Sequence, residues 1–152
     1  MKIAEALIRR ADFNKKLAEV KNRLSQNAVV QEDDRPAFEP VKLMREMDSL
    51  ILNLKELVRN INRSNSKYAF NDELSISDAI AEKDAIRIKI NILQSFLDAN
   101  AVRFDRYSRS EIKVRGTYEP EVLRKEIDDL SRDLRELDIK LQELNWKYDL
   151  IE

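Results

Sequence analysis

The C-terminal third of the chain carries the most regular pattern of apolar and polar positions. Apolar side chains recur there at alternating spacings of four and three residues, at Leu123, Ile127, Leu130, Leu134, Leu137, Leu141, Leu144, Tyr148 and Ile151. This heptad spacing is typical of a long helix that packs along a partner helix. Pro120 suits the first turn of a helix, and Glu119 suits the position before it. The pattern therefore predicts a helix over residues 120–148.

A similar spacing predicts two more helices in the N-terminal half. Residues 41–61 carry an apolar stripe that is widened by Met44, Ile51 and Val58, a second row with a constant spacing of seven. A stripe this broad favours a helix that contacts two neighbours. Residues 2–26 carry a narrower stripe, which is interrupted by polar residues. We therefore predict helices over 2–26 and 41–61.

Residues 75–101 show a pattern with two interpretations. Ile86, Ile88, Ile90 and Ile92 alternate with polar residues, as they would in a half-buried strand. The same stretch also carries a helical stripe, and no turn residue interrupts it. We predict a helix here.

Three polar segments connect these helices. Residues 28–39 form an acidic loop, and residues 62–74 begin with side chains that compete with helical hydrogen bonds. Residues 102–118 include Gly116, the only glycine, with Ile112, Val114 and Thr117 around it. We predict a short β-hairpin in this segment. The predicted fold is all-α: one domain over 1–152, built as a bundle of four long helices with coiled-coil-like packing and a hairpin between helices 3 and 4.

The composition excludes several classes of active site. The chain has no His and no Cys, so a catalytic triad, a Cys-His dyad and an imidazole or thiolate zinc site are all impossible. One glycine is too few for the common nucleotide-binding loops. No cofactor and no metal is predicted. A carboxylate site for a divalent cation, for example at Glu82 and Asp84, is less favoured than a solvated helix face.

The charge pattern predicts neither a membrane protein nor a strongly charged one. The 28 basic and 29 acidic residues nearly cancel, so binding to nucleic acid or to an anionic membrane would need a local patch. The longest stretch without charge, Ile90 to Leu97, is far too short to span a bilayer. Glu5 and Arg9 interrupt the apolar residues that a secretion signal needs. These observations and the lack of Cys predict a cytoplasmic protein.

Two polar segments contain candidate binding residues. Asn62, Arg63 and Asn65 offer groups that suit a small polar ligand, although such residues also commonly end helices. The basic segment Arg103–Arg115 holds cations around an aromatic ring, an arrangement that suits nucleic acid. Its candidate residues are Arg106, Tyr107, Arg109 and Lys113. The alternative, which we favour, is that these cations pair with acidic residues of a neighbouring subunit.

Trp146 lies on the side of the last helix opposite its apolar seam, with Ile139 one heptad before it. Aromatic side chains of this kind are enriched where proteins bind each other. Ile139 and Trp146 are therefore candidates for an oligomer interface. The alternative that Trp146 packs beneath residues 102–118 of its own chain stays open.

Several short strings resemble a known family. They are Ala4-Glu5-Ala6-Leu7, Ile61-Asn62-Arg63-Ser64-Asn65, Arg106-Tyr107-Ser108-Arg109-Ser110-Glu111-Ile112 and Asn145-Trp146. Together they resemble the septicolysin-like family of small bacterial proteins, in which Thr is expected at the position of Ser64. The resemblance implies a helical homo-oligomeric ring, such as a hexamer, with no established activity.

The function predicted from the sequence is structural or scaffolding, performed by a helical homo-oligomer. The alternative is an oligomer that binds nucleic acid through the Arg103–Arg115 segment. A metal-dependent enzyme is less favoured because its ligands would have to be carboxylates, which a solvated helix face explains better. A pore-forming toxin, the activity that the family name suggests, is less favoured because the sequence shows neither an export signal nor a long apolar segment to insert.

The nucleic-acid alternative is tested by replacing both arginines in Arg106→Ala/Arg109→Ala. Fluorescence anisotropy with labelled single-stranded RNA at about 50 mM and 200 mM salt detects phosphate contacts through their salt dependence. If the cations pair between subunits, the wild type and the variant give the same anisotropy at both concentrations. Salt-dependent binding by the wild type that the variant loses would instead support the nucleic-acid alternative.

Overall fold

The computed structural model describes residues 1–101 and 113–152, and four helices account for most of them. The helices are α1 (Ile3–Gln26), α2 (Pro40–Lys67), α3 (Ile76–Asn100) and α4 (Pro120–Lys147). Only isolated bridges, and no strand, occur among the described residues. The all-α class and the four long helices are confirmed, including the helix over the ambiguous stretch 75–101.

The predicted β-hairpin between helices 3 and 4 is not found. Residues 113–119 of that segment form no strand, and residues 102–112 lie outside the described residues. One glycine near the end of the segment does not supply the turn that two paired strands need. Thr117 and Tyr118, which follow Gly116, instead donate backbone hydrogen bonds to the Asn100 side chain at the end of α3.

Helix α2 is longer than the pattern predicted, because residues 62–67 stay helical. The Ser64 hydroxyl donates to the Asn60 carbonyl at 2.8 Å, and the Ser66 hydroxyl donates to the Asn62 carbonyl at 3.0 Å. A serine hydroxyl can donate a hydrogen bond to the carbonyl four residues earlier inside a helix as well as at its end. The prediction of a loop from residue 62 was therefore wrong, and α2 ends at Lys67.

The chain forms two compact units. One comprises Met1–Ile76 with Gln142–Glu152, and the other comprises Ser77–Leu141. In the first, α1 packs on α2 around Ala6, Leu57, Ile61 and Leu150. In the second, α3 and α4 run antiparallel and are joined by two ion pairs, Lys89 with Glu126 at 2.7 Å and Lys83 with Asp138.

The two helical hairpins are an internal repeat. The segment that starts at Ile3 matches the segment that starts at Ile76 at one constant offset, and Pro40 to Tyr68 matches Pro120 to Tyr148 at another. The matched identical residues include Ala6 and Ala79, Asn27 and Asn100, Glu39 and Glu119, Leu43 and Leu123, Asp48 and Asp128, Leu57 and Leu137, and Lys67 and Lys147. The chain is therefore two copies of one helix–loop–helix sequence.

Hydrogen bonds in the first compact unit follow this equivalence. The backbone N–H of Ile3 donates to the Tyr148 carbonyl at 3.1 Å, and that of Ile76 donates to the Tyr68 carbonyl at 2.9 Å. The two tyrosine rings stack with centroids 4.2 Å apart and planes 4° from parallel. The last residue of each repeat thus accepts a hydrogen bond from the first helical residue of the other.

Equivalent asparagines also fasten the connection inside each repeat. Asn27 Oδ1 accepts from the Phe38 N–H at 3.1 Å, while Asn100 Oδ1 accepts from Thr117 at 2.9 Å and Tyr118 at 3.1 Å. Both asparagines are buried. Each therefore ties the end of one helix to the chain just before the next.

Ser64 fastens the C-terminal residues to α2. Its side chain is fully buried, and its Oγ accepts from the Ile151 N–H at 2.9 Å while it donates to Asn60. The Tyr68 hydroxyl donates to the Asp149 carbonyl at 2.8 Å. Residues 149–151 are thereby held along the last turns of α2.

We predict that Ser64→Ala lowers the free energy of unfolding by about 1–2 kcal/mol, because the part-buried Ile151 N–H loses its acceptor. Ser66→Ala is the matched control, since it removes the same helical hydroxyl bond at an exposed position, and it should change stability by no more than about 0.5 kcal/mol. Urea denaturation measures both. Equal losses for the two variants would show that the contact with Ile151 contributes nothing.

Candidate functional site

The three residues predicted to bind a small ligand lie on the last turns of α2. Asn62 and Arg63 are exposed and Asn65 is half-buried, all on helical turns rather than in a loop. Arg63 borders a shallow depression that neither Asn62 nor Asn65 lines. Asn65 Oδ1 is buried and, among the described residues, has no hydrogen-bond partner. Binding of a small polar ligand by these three residues stays a prediction.

The basic segment falls mostly outside the described residues. Arg106, Tyr107 and Arg109 lie within 102–112, and of the candidates only Lys113 is described, with an exposed side chain. Nucleic-acid binding and intersubunit ion pairing by this segment both stay predictions.

Ile139 and Trp146 are both exposed on α4, with 60% and 54% of their surface accessible. Ile139 belongs to the second compact unit and Trp146 to the first. The equivalent positions of α2 carry Arg59 and Ser66, so the helix–loop–helix sequence does not require apolar side chains there. Their role as an oligomer interface stays a prediction.

The sequence interpretation missed an apolar face on α3, which we call the α3 outer face. Its members are spaced by four and three residues in turn, and all six are exposed: Ala81, Ala85, Ile88, Ile92, Ser95 and Ala99. Ile88 and Ile92 are 60% and 63% accessible. Helix α3 thus carries a second heptad seam in addition to the one that packs within its own unit.

The two seams explain why residues 86–92 resembled a strand. Ile86 and Ile90 lie on the half-buried side of α3, whereas Ile88 and Ile92 lie on the outer face. Two helical stripes offset by two residues produce the same alternation as one strand. The signal for the outer face was therefore present in the sequence.

The repeat shows that the outer face is not needed to fold a hairpin. The equivalent positions of α1 are all exposed and mostly polar: Ile8, Asp12, Lys15, Glu19, Asn22 and Gln26. The inward positions stay apolar in both helices, for example Leu17 and Ile90, or Leu24 and Leu97. The apolar row is therefore particular to α3, and the packing of the helix–loop–helix does not require it.

The charged groups of α4 form ordinary surface pairs. Lys125 Nζ lies 2.8 Å from Asp129 Oδ2, and Arg132 lies 3.3 Å from the other carboxylate oxygen. The Lys125 ammonium, through its hydrogen bond and its charge, lowers the pKa of Asp129 below the ordinary 3.8, with a smaller contribution from Arg132. These pairs stabilise the helix and create no unusual acid or base.

The described residues contain no group of three His, Cys, Asp or Glu side chains that could hold a metal ion. Glu82 and Asp84 are both exposed on α3. No helix in the described part of the chain is both long enough and apolar enough to cross a bilayer.

The sequence profile of a family of unknown function, DUF6847, matches residues 10–150. The chain belongs to the DUF6847 family. The DUF6847 chain is also similar to a crystal structure of a functionally unknown conserved protein from Corynebacterium diphtheriae, with 36% identity over 99% of both chains and a TM-score of 0.92. No curated protein matches its sequence.

The resemblance to the septicolysin-like family was wrong. The family that matches nearly the whole chain is DUF6847, and the similar crystal structure carries no link to septicolysin. Short polar strings between helical heptads recur in many unrelated proteins, so they did not identify the family. The ring and the hexamer that the resemblance implied lose their support with it.

We predict that Lys125→Gln raises the pKa of Asp129 towards its ordinary value, and that Arg132→Gln raises this pKa less. The sign follows from the lowered pKa: Asp129 stabilises the folded chain above its ordinary pKa and loses that contribution as the pH falls through the folded value. Carboxyl chemical shifts followed by NMR measure the titration at low salt, where screening is weak. A larger shift in Arg132→Gln than in Lys125→Gln would contradict the assignment.

Proposed function

We propose that this DUF6847 protein is a self-assembling helical protein with a structural or scaffolding role. The observation that carries the proposal is the α3 outer face, on which two isoleucines that are 60% and 63% accessible lie in a row of small residues. Single exposed apolar residues are ordinary, but a continuous helical row that the other repeat lacks favours a docking surface.

The size of the face sets the expected strength of the association. Ile88 and Ile92 are 60% and 63% accessible, so only this fraction of each side chain remains to be buried. Scaling the about 1.5–3 kcal/mol of a fully buried isoleucine by that fraction, for the four isoleucines of two copies, gives roughly 4–7 kcal/mol. That is less than the roughly 8 kcal/mol of a micromolar complex, before any cost of association. The flanking small residues and Phe96 must add to it, so we expect micromolar rather than nanomolar association.

The chemistry of the chain supports assembly more than catalysis. The sequence has neither His nor Cys, and no Asp, Glu, Lys or Arg side chain in the described ranges is buried. A second surface around Trp146 would give the chain more than one contact, which a scaffold needs to extend beyond a pair of subunits.

The proposal is tested by light scattering after size exclusion at about 50 µM, well above a micromolar dissociation constant. The expected mass is a multiple of the 17.9 kDa of one chain. A single species with the mass of one chain at this concentration would contradict the proposal.

The role of Trp146 is tested separately with Trp146→Ala. We predict that it lowers the weight-average mass while the helical circular dichroism is unchanged, because an indole that is 54% accessible contributes little to folding of one chain. Ile8→Ala is the matched control, since Ile8 is 55% accessible and lies on α1. If helicity falls together with the mass, Trp146 stabilises the subunit and is not an interface anchor.

A further inference from the structure

We infer that the α3 outer face pairs with the same face of a second copy of this chain, with the two helices parallel. The inference rests on the proposed self-assembly and adds to it the surface, the partner and the orientation. Its support is the heptad register of the face, the charges beside it and the comparison with α1.

The outer face has the register of a two-stranded coiled coil. Ala85, Ile92 and Ala99 occupy one core position of the heptad, and Ala81, Ile88 and Ser95 occupy the other. In a parallel pair each residue meets its own counterpart, so the isoleucines form the two central layers. The small residues on both sides let the helix backbones approach each other closely.

The flanking charges select the parallel orientation. Asp84 and Lys89 lie at the two positions that face each other across a parallel coiled coil, five residues apart. A parallel pair therefore forms this attractive contact twice. In an antiparallel pair with the isoleucines in contact, Asp84 would face Asp98 of the second copy, and Lys89 would face its own counterpart. Both antiparallel contacts are repulsive.

Lys89 is available for a contact between copies. In its own chain it pairs with Glu126 at 2.7 Å, but the Lys89 side chain is 55% accessible. An exposed pair of this kind contributes little and holds its partners loosely. The ammonium can therefore lie between Glu126 of its own chain and Asp84 of the second copy.

The equivalent face of α1 explains why the pairing uses α3. At the places of Ala85, Ile88 and Ile92, helix α1 carries Asp12, Lys15 and Glu19. A charged face of this kind does not leave water, so α1 does not offer the surface that α3 offers. A face that pairs only with itself closes into a two-fold dimer and does not propagate.

The surface is tested by the double substitution Ile88→Lys/Ile92→Glu, which places on α3 the residues that α1 carries at the two equivalent positions. The first repeat tolerates these side chains at the equivalent exposed positions, so the hairpin should still fold, and the net charge does not change. Sedimentation equilibrium of the full chain should show a dissociation constant raised by roughly 100-fold or more, from the loss of buried isoleucine surface.

The matched control gives α2 the residues of α4, in Val41→Glu/Met44→Arg. These two apolar side chains are 53% and 44% accessible, and the net charge again stays the same. The dissociation constant of this control variant should stay within about 3-fold of the wild-type value. Circular dichroism should show that both variants are equally helical.

The outcomes separate this inference from the proposed function. If the wild type is one chain at about 50 µM, self-assembly and the pairing of α3 are both wrong. If the wild type assembles and Ile88→Lys/Ile92→Glu assembles equally well, the assembly uses another surface and only this inference is wrong.

The orientation is tested by exchanging charges. Asp84→Lys alone and Lys89→Asp alone should each weaken the association by roughly 3- to 10-fold, because each turns two weak attractions into repulsions. An equimolar mixture of the two variants should recover wild-type association, since every contact between unlike copies is then attractive. Glu126→Gln controls for the contact within the chain and should leave the association unchanged.

An antiparallel pair predicts the opposite result. There, Asp84→Lys would place a lysine opposite Asp98 of the second copy and would strengthen the association. Stronger association of Asp84→Lys would overturn the parallel assignment. So would an equimolar mixture that associates no more tightly than each variant does alone.

Discussion

The stacked pair of Tyr68 and Tyr148 is the contact on which the junction of the two repeats depends. Each tyrosine ends its repeat, and each carbonyl accepts a hydrogen bond from the first helical N–H of the other repeat, Ile76 or Ile3. The next residues add a second equivalent pair of bonds, from Leu150 to the Met1 carbonyl and from Phe70 to the Leu74 carbonyl. These bonds therefore lie where α1 and α3 begin.

Comparing the two copies of the repeat distinguishes the residues that the helical hairpin needs in order to fold from those that differ between the copies. Inward apolar positions and the buried asparagines Asn27 and Asn100 occur in both copies, because they form the cores and the connections. The outward positions differ: α3 carries Ile88 and Ile92 where α1 carries Lys15 and Glu19. A difference confined to exposed positions has no cause within the hairpin. It supports the proposal that this surface is buried between copies of the chain.

The helices could be predicted from the sequence because apolar residues recur at spacings of three and four residues, which match the period of an α-helix. The end of α2 could not, because Ser64 and Ser66 are equally suited to ending a helix and to bonding within one. The repeat was visible in the Glu-Pro strings that open α2 and α4 and in the Lys-Tyr strings that close them, which match at one offset. The longer connection between α3 and α4 gives the match of α1 with α3 a different offset, so the two halves of the repeat do not align without a gap. The α3 outer face was hidden because its isoleucines interleave with those of the inward face.

In the proposed parallel pair, Ile92 meets its own counterpart. The sequence has no cysteine, so any disulfide in a cross-linking experiment must come from an introduced one. Ile92→Cys should therefore form a disulfide-linked dimer under mild oxidation, since the α-carbons at a core position of a parallel coiled coil lie within reach of about 6 Å. Glu19→Cys, the equivalent position of α1, is the control and should stay a single chain. A dimer band from Glu19→Cys as strong as that from Ile92→Cys, or no band from Ile92→Cys at a concentration where the wild type is assembled, would contradict the account.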